Sequence, residues 1–308
     1  MTRIVRWEPG MTSLGRAVVS IGVFDGVHIG HQALIRDAVA LARERRVSSA
    51  VVTFDLDPDR VVDPEHAAPQ LLDLDEKLAL ISRLEPDVVL VVSFTGGLAR
   101  TTPDGFLDTL LLRAFEPVAT VVGFDFRFGA GAAGDLDTLA AYGARHGFEV
   151  VGHPLVRAGG EPVTSTRIRA LIAAGDVASA AKLLGRPHSL TGTVVSGRHE
   201  GTALGAPTAN LDPPSYAALP RDGVYAGRTV IDGVAFAAAV SAGAPPTFPG
   251  ACSAVEVHVI GFSGDLYGRR LTVELIDRLR DLSRFDSAEA LSAAIATDLA
   301  AASRLAGA

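Results

Sequence analysis

In the first half of the chain, short runs of β-branched and other apolar residues alternate with longer stretches whose apolar positions return every three or four residues. The runs at 17–24, 49–54, 88–93 and 119–123 predict strands, and the stretches between them predict helical crossovers. In the stretch 31–45, Leu34, Ile35, Ala38, Val39 and Leu41 approximate one apolar face of a helix. The expected first domain is a Rossmann-like, doubly wound α/β unit built on a parallel sheet.

The pattern changes after residue 184. Residues 165–184 read as one or two helices broken near Gly175 and Asp176, and Gly185-Arg186-Pro187 carries helix-stopping chemistry. The boundary predicted there divides the chain into 1–186 and 187–308. Beyond it, glycine and proline punctuate short strands at 190–195, 224–231, 235–240, 254–260 and 271–276, a spacing that predicts a small antiparallel β-barrel. The alanine-rich stretch 287–305, acidic near its start, predicts a closing helix.

Composition narrows the chemistry. With 308 residues, 48% apolar and 20% charged, the chain has the material for two packed cores. A net charge of −7 argues against a broad nucleic-acid-binding face, which would need clustered cations. The run 88–94, apolar but for Ser93, is far short of the roughly 18 residues of a membrane span. The first residues lack a signal-peptide core, so a cytoplasmic protein with no membrane partner is expected. The single cysteine, Cys252, excludes an internal disulfide and a thiolate-rich metal site. Lys77 and Lys182 are the only lysines, neither follows a glycine, and a Walker-type phosphate loop is therefore absent.

Anion chemistry is concentrated at the end of the first strand. There Gly22, Phe24, Asp25 and Gly26 lead into His28, Gly30 and His31 at the opening of a helix. Helix N-termini offer unpaired N–H groups and a positive dipole end, glycines admit a phosphate close to the backbone, and imidazoles add adjustable charge. A second helix start, at Ser165 and Thr166, carries Arg167 and Arg169 where arginine opposes the dipole unless an anion binds. In the second half, Gly197, Gly201 and Gly205 punctuate the loop before Pro207-Thr208-Ala209-Asn210, whose oxygens suit Mg²⁺.

The string Gly22-Val-Phe-Asp-Gly-Val-His-Ile-Gly-His31 resembles the HxGH nucleotidyltransferases, and at full length the bacterial bifunctional riboflavin kinase/FMN adenylyltransferases, or FAD synthetases. Pro207-Thr-Ala-Asn210 resembles the metal- and ATP-binding motif of riboflavin kinases, and segments at 223–227, 246–248, 255–258 and 264–268 follow in that family's order. The resemblance implies riboflavin, FMN and ATP as ligands with Mg²⁺ as cofactor, and leaves a homo-oligomer open. It implies catalytic roles for His28 and His31 in adenylyl transfer and for Glu256 as the kinase base. It further implies that Asp125 and Phe128 contact flavin and nucleotide, that Arg280 and Phe285 lie near the flavin, and that Thr208 and Asn210 hold the metal. Alternatives are a paralogue with one activity or a modified substrate, and a non-catalytic flavin-binding protein.

Several positions depart from the family pattern. Asp57 stands in Phe54-Asp-Leu-Asp-Pro58 where a histidine is usual, and would bring negative charge towards polyphosphate. Ala130-Gly-Ala-Ala133 lacks basic residues, Arg198-His-Glu200 puts an acid beside the glycine loop, and Ser241–Pro245 is unusually apolar.

Overall fold

Val88–Val92 is a run of five apolar residues that are all buried, as a strand covered on both faces requires. In the computed structural model, which describes residues 1–196, 208–243 and 255–307, it is β4 of a six-stranded sheet. The others are β1 (Arg3–Arg6), β2 (Arg16–Ile21), β3 (Ser48–Phe54), β5 (Glu116–Gly123) and β6 (Glu149–His153). Their order is β1-β4-β3-β2-β5-β6 and every pairing is parallel. From β2 the chain winds outward to β3 and β4, then returns to β5 and β6 on the other side. Winding therefore reverses between β2 and β5, where the carboxyl ends of the strands open a crevice.

Helices cover both faces: α1 (Ile29–Arg45), α2 (Asp59–Val62), α3 (Leu74–Ser82), α4 (Gly96–Ala99), α5 (Pro103–Leu107) and α6 (Leu136–His146). Ala17, Val19 and Ile21 of β2 join one apolar cluster with Leu90 and Leu107, while Val18 joins another with Ile35 and Ala38 of α1. A hairpin of β7 (Arg157–Ala158) and β8 (Glu161–Pro162) follows the sheet.

Three details differ from the sequence expectation. The first strand stops at Ile21 rather than at residue 24, because Phe24 takes a left-handed conformation and leaves the ladder. On α1, Ala42 is buried and Leu41 only half-buried, since the apolar stripe follows the 3.6-residue period more closely than the apolar residues do. The short strands β1 and β6 carry polar residues at the sheet margins, which masked them in the sequence.

The chain divides into compact units Met1–Ser165 and Thr166–Ala308, at the first residue of α7 (Ser165–Ala174). Gly175, with φ of 84°, stops that helix, and Asp176 caps α8 (Val177–Leu184) by accepting from the Ser179 N–H. Then follow β9 (His188–Val195), β10 (Ala209–Asp212), β11 (Gly223–Ile231), β12 (Val234–Ala242), β13 (Val255–Val259), β14 (Arg270–Arg280) and α9 (Ala288–Ala306). The strands close antiparallel in the order β10-β13-β12-β11-β14-β9. Alternate residues, among them Leu190, Val194, Val255, Val257 and Val273, fill the interior. Closure leaves no edge strand exposed, which lets a small barrel stand as its own unit.

His188, 2% exposed, places Nε2 2.9 Å from the Ala218 carbonyl. Burial pushes its pKa down from 6.5 to about 4. Between those values the unfolded chain takes up a proton that the folded barrel refuses, so barrel stability is full above pH 6.5 and falls as pH drops towards 4. Denaturant titrations across this window should show a loss approaching roughly 1.4 kcal/mol per pH unit, and His188→Gln should flatten it.

Candidate active sites

The turn from β2 to α1 is held in a conformation that its sequence would not choose. Phe24 has φ of 54° and Val27 of 39°, left-handed values that cost about 1–3 kcal/mol each for residues with a Cβ. Gly26, at 80°, takes such a value freely. The Phe24 ring folds back over Gly22, where a Cβ would lie 2.8 Å from it, and meets His31 edge-on at 5.2 Å. The clamps come from several sides. The Asp25 carboxylate, 4% exposed, accepts from the Leu71 N–H at 3.0 Å, Ser165 Oγ donates to the Asp25 carbonyl at 2.9 Å, and Gln32 Nε2 donates to the Val27 carbonyl at 2.9 Å.

His28 caps α1: its Nδ1 accepts from the His31 N–H at 3.2 Å, so in the neutral ring Nε2 bears the proton. Gly30 gives the His28 ring room, since a Cβ there would come to 3.1 Å from it. The two imidazoles stack at 3.6 Å with 18° between their planes, and two protonated rings in that contact would repel. Burial, then His28, then Lys77 hold His31 well below its usual pKa of 6.5. The unliganded His31 ring is thus neutral. His31 Nδ1 is buried without a hydrogen-bond partner among the described residues, an acceptor or donor in want of a ligand.

A cavity of about 540 Å³ opens beside His31 at the winding reversal, between Gly22 and Gly123 at the ends of β2 and β5. Phe54, Phe94, Phe106 and Phe128 are among its walls, and Asp125 adds a carboxylate. Asp125 and Phe128, expected at a flavin and nucleotide site, are both there. Gly123 leaves room for Asp125, whose carboxylate would lie 2.8 Å from a Cβ at that position. The alternating phenylalanines lie beyond β5 rather than within it: Phe124 is exposed, and Phe126 stacks on Phe128 at 5.2 Å. The sequence did not single out Phe94 or Phe106, which come from separate segments after β4.

Two further residues of this region carry charge. Lys77 is 4% exposed, and its Nζ donates to the carbonyls of Phe54 at 2.8 Å and Val23 at 3.2 Å. Asp57, the departure from the family pattern, is 7% exposed and is the strongest of the acids acting on Lys77, ahead of Asp25 and Asp55. Its charge is answered inside the protein. Thr166, Arg167 and Arg169 lie on the first turns of α7, after Ser165.

In the barrel, strand register brings distant residues together. Asn210 of β10 stands directly opposite Glu256 of β13, which in turn stands opposite Ser241 of β12. Facing Cβ atoms in such pairs are about 5 Å apart. Val255, Val257 and Val259 point into the core, which places Glu256 on the outer face with Asn210. Thr208 precedes β10. Among the described residues no group of three or more His, Cys, Asp or Glu could hold a metal. Thr208 and Asn210 offer neutral side-chain oxygens, the donor type that a Mg²⁺ arriving on phosphates would take. Arg280 grips Asp298 of α9, Nη2 to Oδ2 at 2.8 Å, and lies 5.5 Å from the Phe285 ring. That pairing fastens α9 to β14, a role that sequence did not suggest. Gly197, Gly201, Gly205, the 198–200 acid and 246–248 lie outside the described residues, as does Cys252.

Comparison with known proteins matches each half of the chain to a family. A family model described as FAD synthetase matches residues 11–167, and one described as riboflavin kinase matches 184–306. The bifunctional riboflavin kinase/FMN adenylyltransferase of Pseudomonas fluorescens is 39% identical over 290 residues, 94% of this chain and 93% of its own. That of Escherichia coli strain K12 is 36% identical over 287 residues, 91% of this chain and 90% of its own. A solved structure described as a macrolide-efflux protein from Streptococcus pneumoniae matches with a TM-score of 0.85 and 31% identity, covering 96% of this chain and 97% of that one. Among the described residues no helix is long and apolar enough to cross a membrane. With both family models matched in sequence, and relatives alike over nearly the whole length, this chain belongs to the bifunctional riboflavin kinase/FMN adenylyltransferase family.

Proposed function

We propose that the chain converts riboflavin to FMN in its barrel part, 187–308, and FMN to FAD in its α/β part, 1–186, with ATP as co-substrate in both. The observation that carries the second reaction is the orphaned His31 Nδ1 at the wall of an aromatic cavity, on a helix N-terminus at the winding reversal. Aromatic walls suit an isoalloxazine ring, and the helix start suits phosphate.

In adenylyl transfer a phosphate oxygen of FMN attacks the α-phosphorus of ATP in line, and the bond to the β-phosphate breaks to release pyrophosphate. His28 and His31 stabilise the charge that builds on those phosphates, and the Ser165, Thr166, Arg167 and Arg169 segment grips the polyphosphate. Gly22, Phe24, Asp25, Gly26 and Gly30 shape the turn that holds the nucleotide. An incoming anion raises the pKa of His31, so its positive charge develops as the nucleotide binds. Asp125 and Phe128 contact the flavin.

In the kinase part, Glu256 accepts the proton of the riboflavin 5′-hydroxyl while that oxygen attacks the γ-phosphorus and ADP leaves. Thr208 and Asn210 hold Mg²⁺, which when bound neutralises charge on the phosphates. Gly197, Gly201 and Gly205 supply the loop over the phosphates, and Arg280 with Phe285 borders the flavin. ATP and riboflavin meet in the cytoplasm, where we place the enzyme, and neither reaction calls for nucleic acid or a membrane.

Incubation with riboflavin, ATP and Mg²⁺, followed by chromatography of the flavins, should yield FMN and then FAD. No product despite tight flavin binding would indicate a carrier protein instead. His28→Ala and His31→Ala should each cut FAD formation at least about 100-fold while FMN still accumulates. Glu256→Gln should do the reverse, stopping FMN formation while added FMN is still converted to FAD. In NMR titrations the His31 ring of the free protein should stay neutral down to well below pH 6.5, and ATP should move that titration upward.

A further inference from the structure

Lys77 closes the ends of two strands. Gly22 N–H to the Val52 carbonyl, at 3.1 Å, is the last rung between the segments that carry β2 and β3. Past that rung the Lys77 ammonium bonds the carbonyls of both Val23 and Phe54, at 3.2 and 2.8 Å. Thr53 Oγ1 donates to the same Val23 carbonyl at 3.1 Å. The Val23 carbonyl belongs to the peptide that leads into left-handed Phe24, and the Phe24 ring rests edge-on against His31. Only one residue therefore stands between Lys77's bond and His31.

A lysine suits this place better than the arginine this chain uses almost everywhere else. Two carbonyls converge on one point, which a compact ammonium with three donors meets and a flat guanidinium fork does not. The acids that act on it are Asp57, from the segment after β3, Asp25, from the turn, and Asp55, at the end of β3, and Lys77 in turn helps to keep the His31 ring of α1 neutral. Asp25 is already engaged by the Leu71 N–H, and Asp55 by Ser93 Oγ and the Phe94 N–H.

We propose that Lys77 is a positioning residue for adenylyl transfer, tying the ends of β2 and β3 so that Phe24 holds His31 in register, with Asp57 as its buried counter-charge. This rests on the reading of 1–186 as an adenylyltransferase. On this proposal Asp57 does not oppose the polyphosphate at all. It stands where the family pattern has a histidine and supports the ammonium of Lys77.

The whole chain provides its own control, because the kinase reaction reports on the same preparation. With FMN, ATP and Mg²⁺ supplied, wild-type FAD formation establishes the underlying reading, and its absence would sink that reading before Lys77 is tested. Lys77→Met should then lower kcat for FAD formation about 10- to 100-fold, as expected for a slight misplacement of catalytic groups. KM for ATP should stay within about 3-fold and FMN formation within about 2-fold. Asp57→Asn supplies a second test that does not depend on how Lys77→Met folds. Burial already lowers the Lys77 pKa and Asp57 opposes that, so losing Asp57 lets the ammonium deprotonate at lower pH. FAD formation by Asp57→Asn should therefore fall off at lower alkaline pH than in wild type, with the kinase profile unmoved. Wild-type FAD turnover by Lys77→Met, an equal loss of both reactions, or an unshifted alkaline limb in Asp57→Asn would each overturn the proposal.

Discussion

The left-handed turn at Phe24 is the constraint on which the α/β unit's chemistry depends. A chain leaving a central parallel strand ordinarily needs several residues to enter a crossover helix. Here it turns within Gly22–His28, sets two imidazoles on the helix start and folds an aromatic ring back beneath them. Two non-glycine left-handed residues cost about 1–3 kcal/mol each, a strain that persists only when the surroundings over-determine it. They do so through bonds from four separate segments: Leu71, Lys77, Gln32 and Ser165. Three of those donors, Leu71, Lys77 and Ser165, lie far off in sequence, so the strain at the site is met largely by segments outside the local motif.

Much of the fold was legible because periodicity is a local property. The four strands of the first half, the break at Gly175-Asp176, the barrel and the closing helix follow from apolar spacing and from glycine and proline chemistry. What escaped was set by position in the sheet. β1 and β6 flank the sheet and carry charged or glycine residues, so no apolar run marks them. β10 has four residues, and only its pairing with β9 and β13 makes it a strand.

The candidate sites were legible as motifs and not as environments. The string from Gly22 to His31 identified the turn, but nothing in it said that His31 would be buried and neutral, since that follows from packing against Phe24, His28 and the approach of Lys77. Asp57 was readable only as an intruding charge until Lys77, twenty residues on, was seen beside it. One signal was available: this chain has 28 basic residues and only two lysines, so a lysine at 77 already stood out. Arg280 shows the converse. A motif position suggested a ligand, while the structure gives its guanidinium to Asp298 and thereby fixes α9. In the barrel, Asn210 and Glu256 are far apart in sequence, and antiparallel register alone makes them neighbours.

A chain of net charge −7 that handles polyphosphate cannot rely on its overall field, which repels such ligands at long range. The local arrangement answers this by supplying donors instead of standing charge. Helix N–H groups and a neutral His31 ring cost nothing in repulsion while the site is empty of phosphate. Burial keeps His31 neutral, and an entering anion offsets that burial, so attraction grows with the charge being bound. The same logic explains why acids crowd the site's rear without harm. Asp25 and Asp55 are tied to backbone N–H groups, Asp57 is set against an ammonium, and their charge is spent on holding the turn rather than turned towards the ligand.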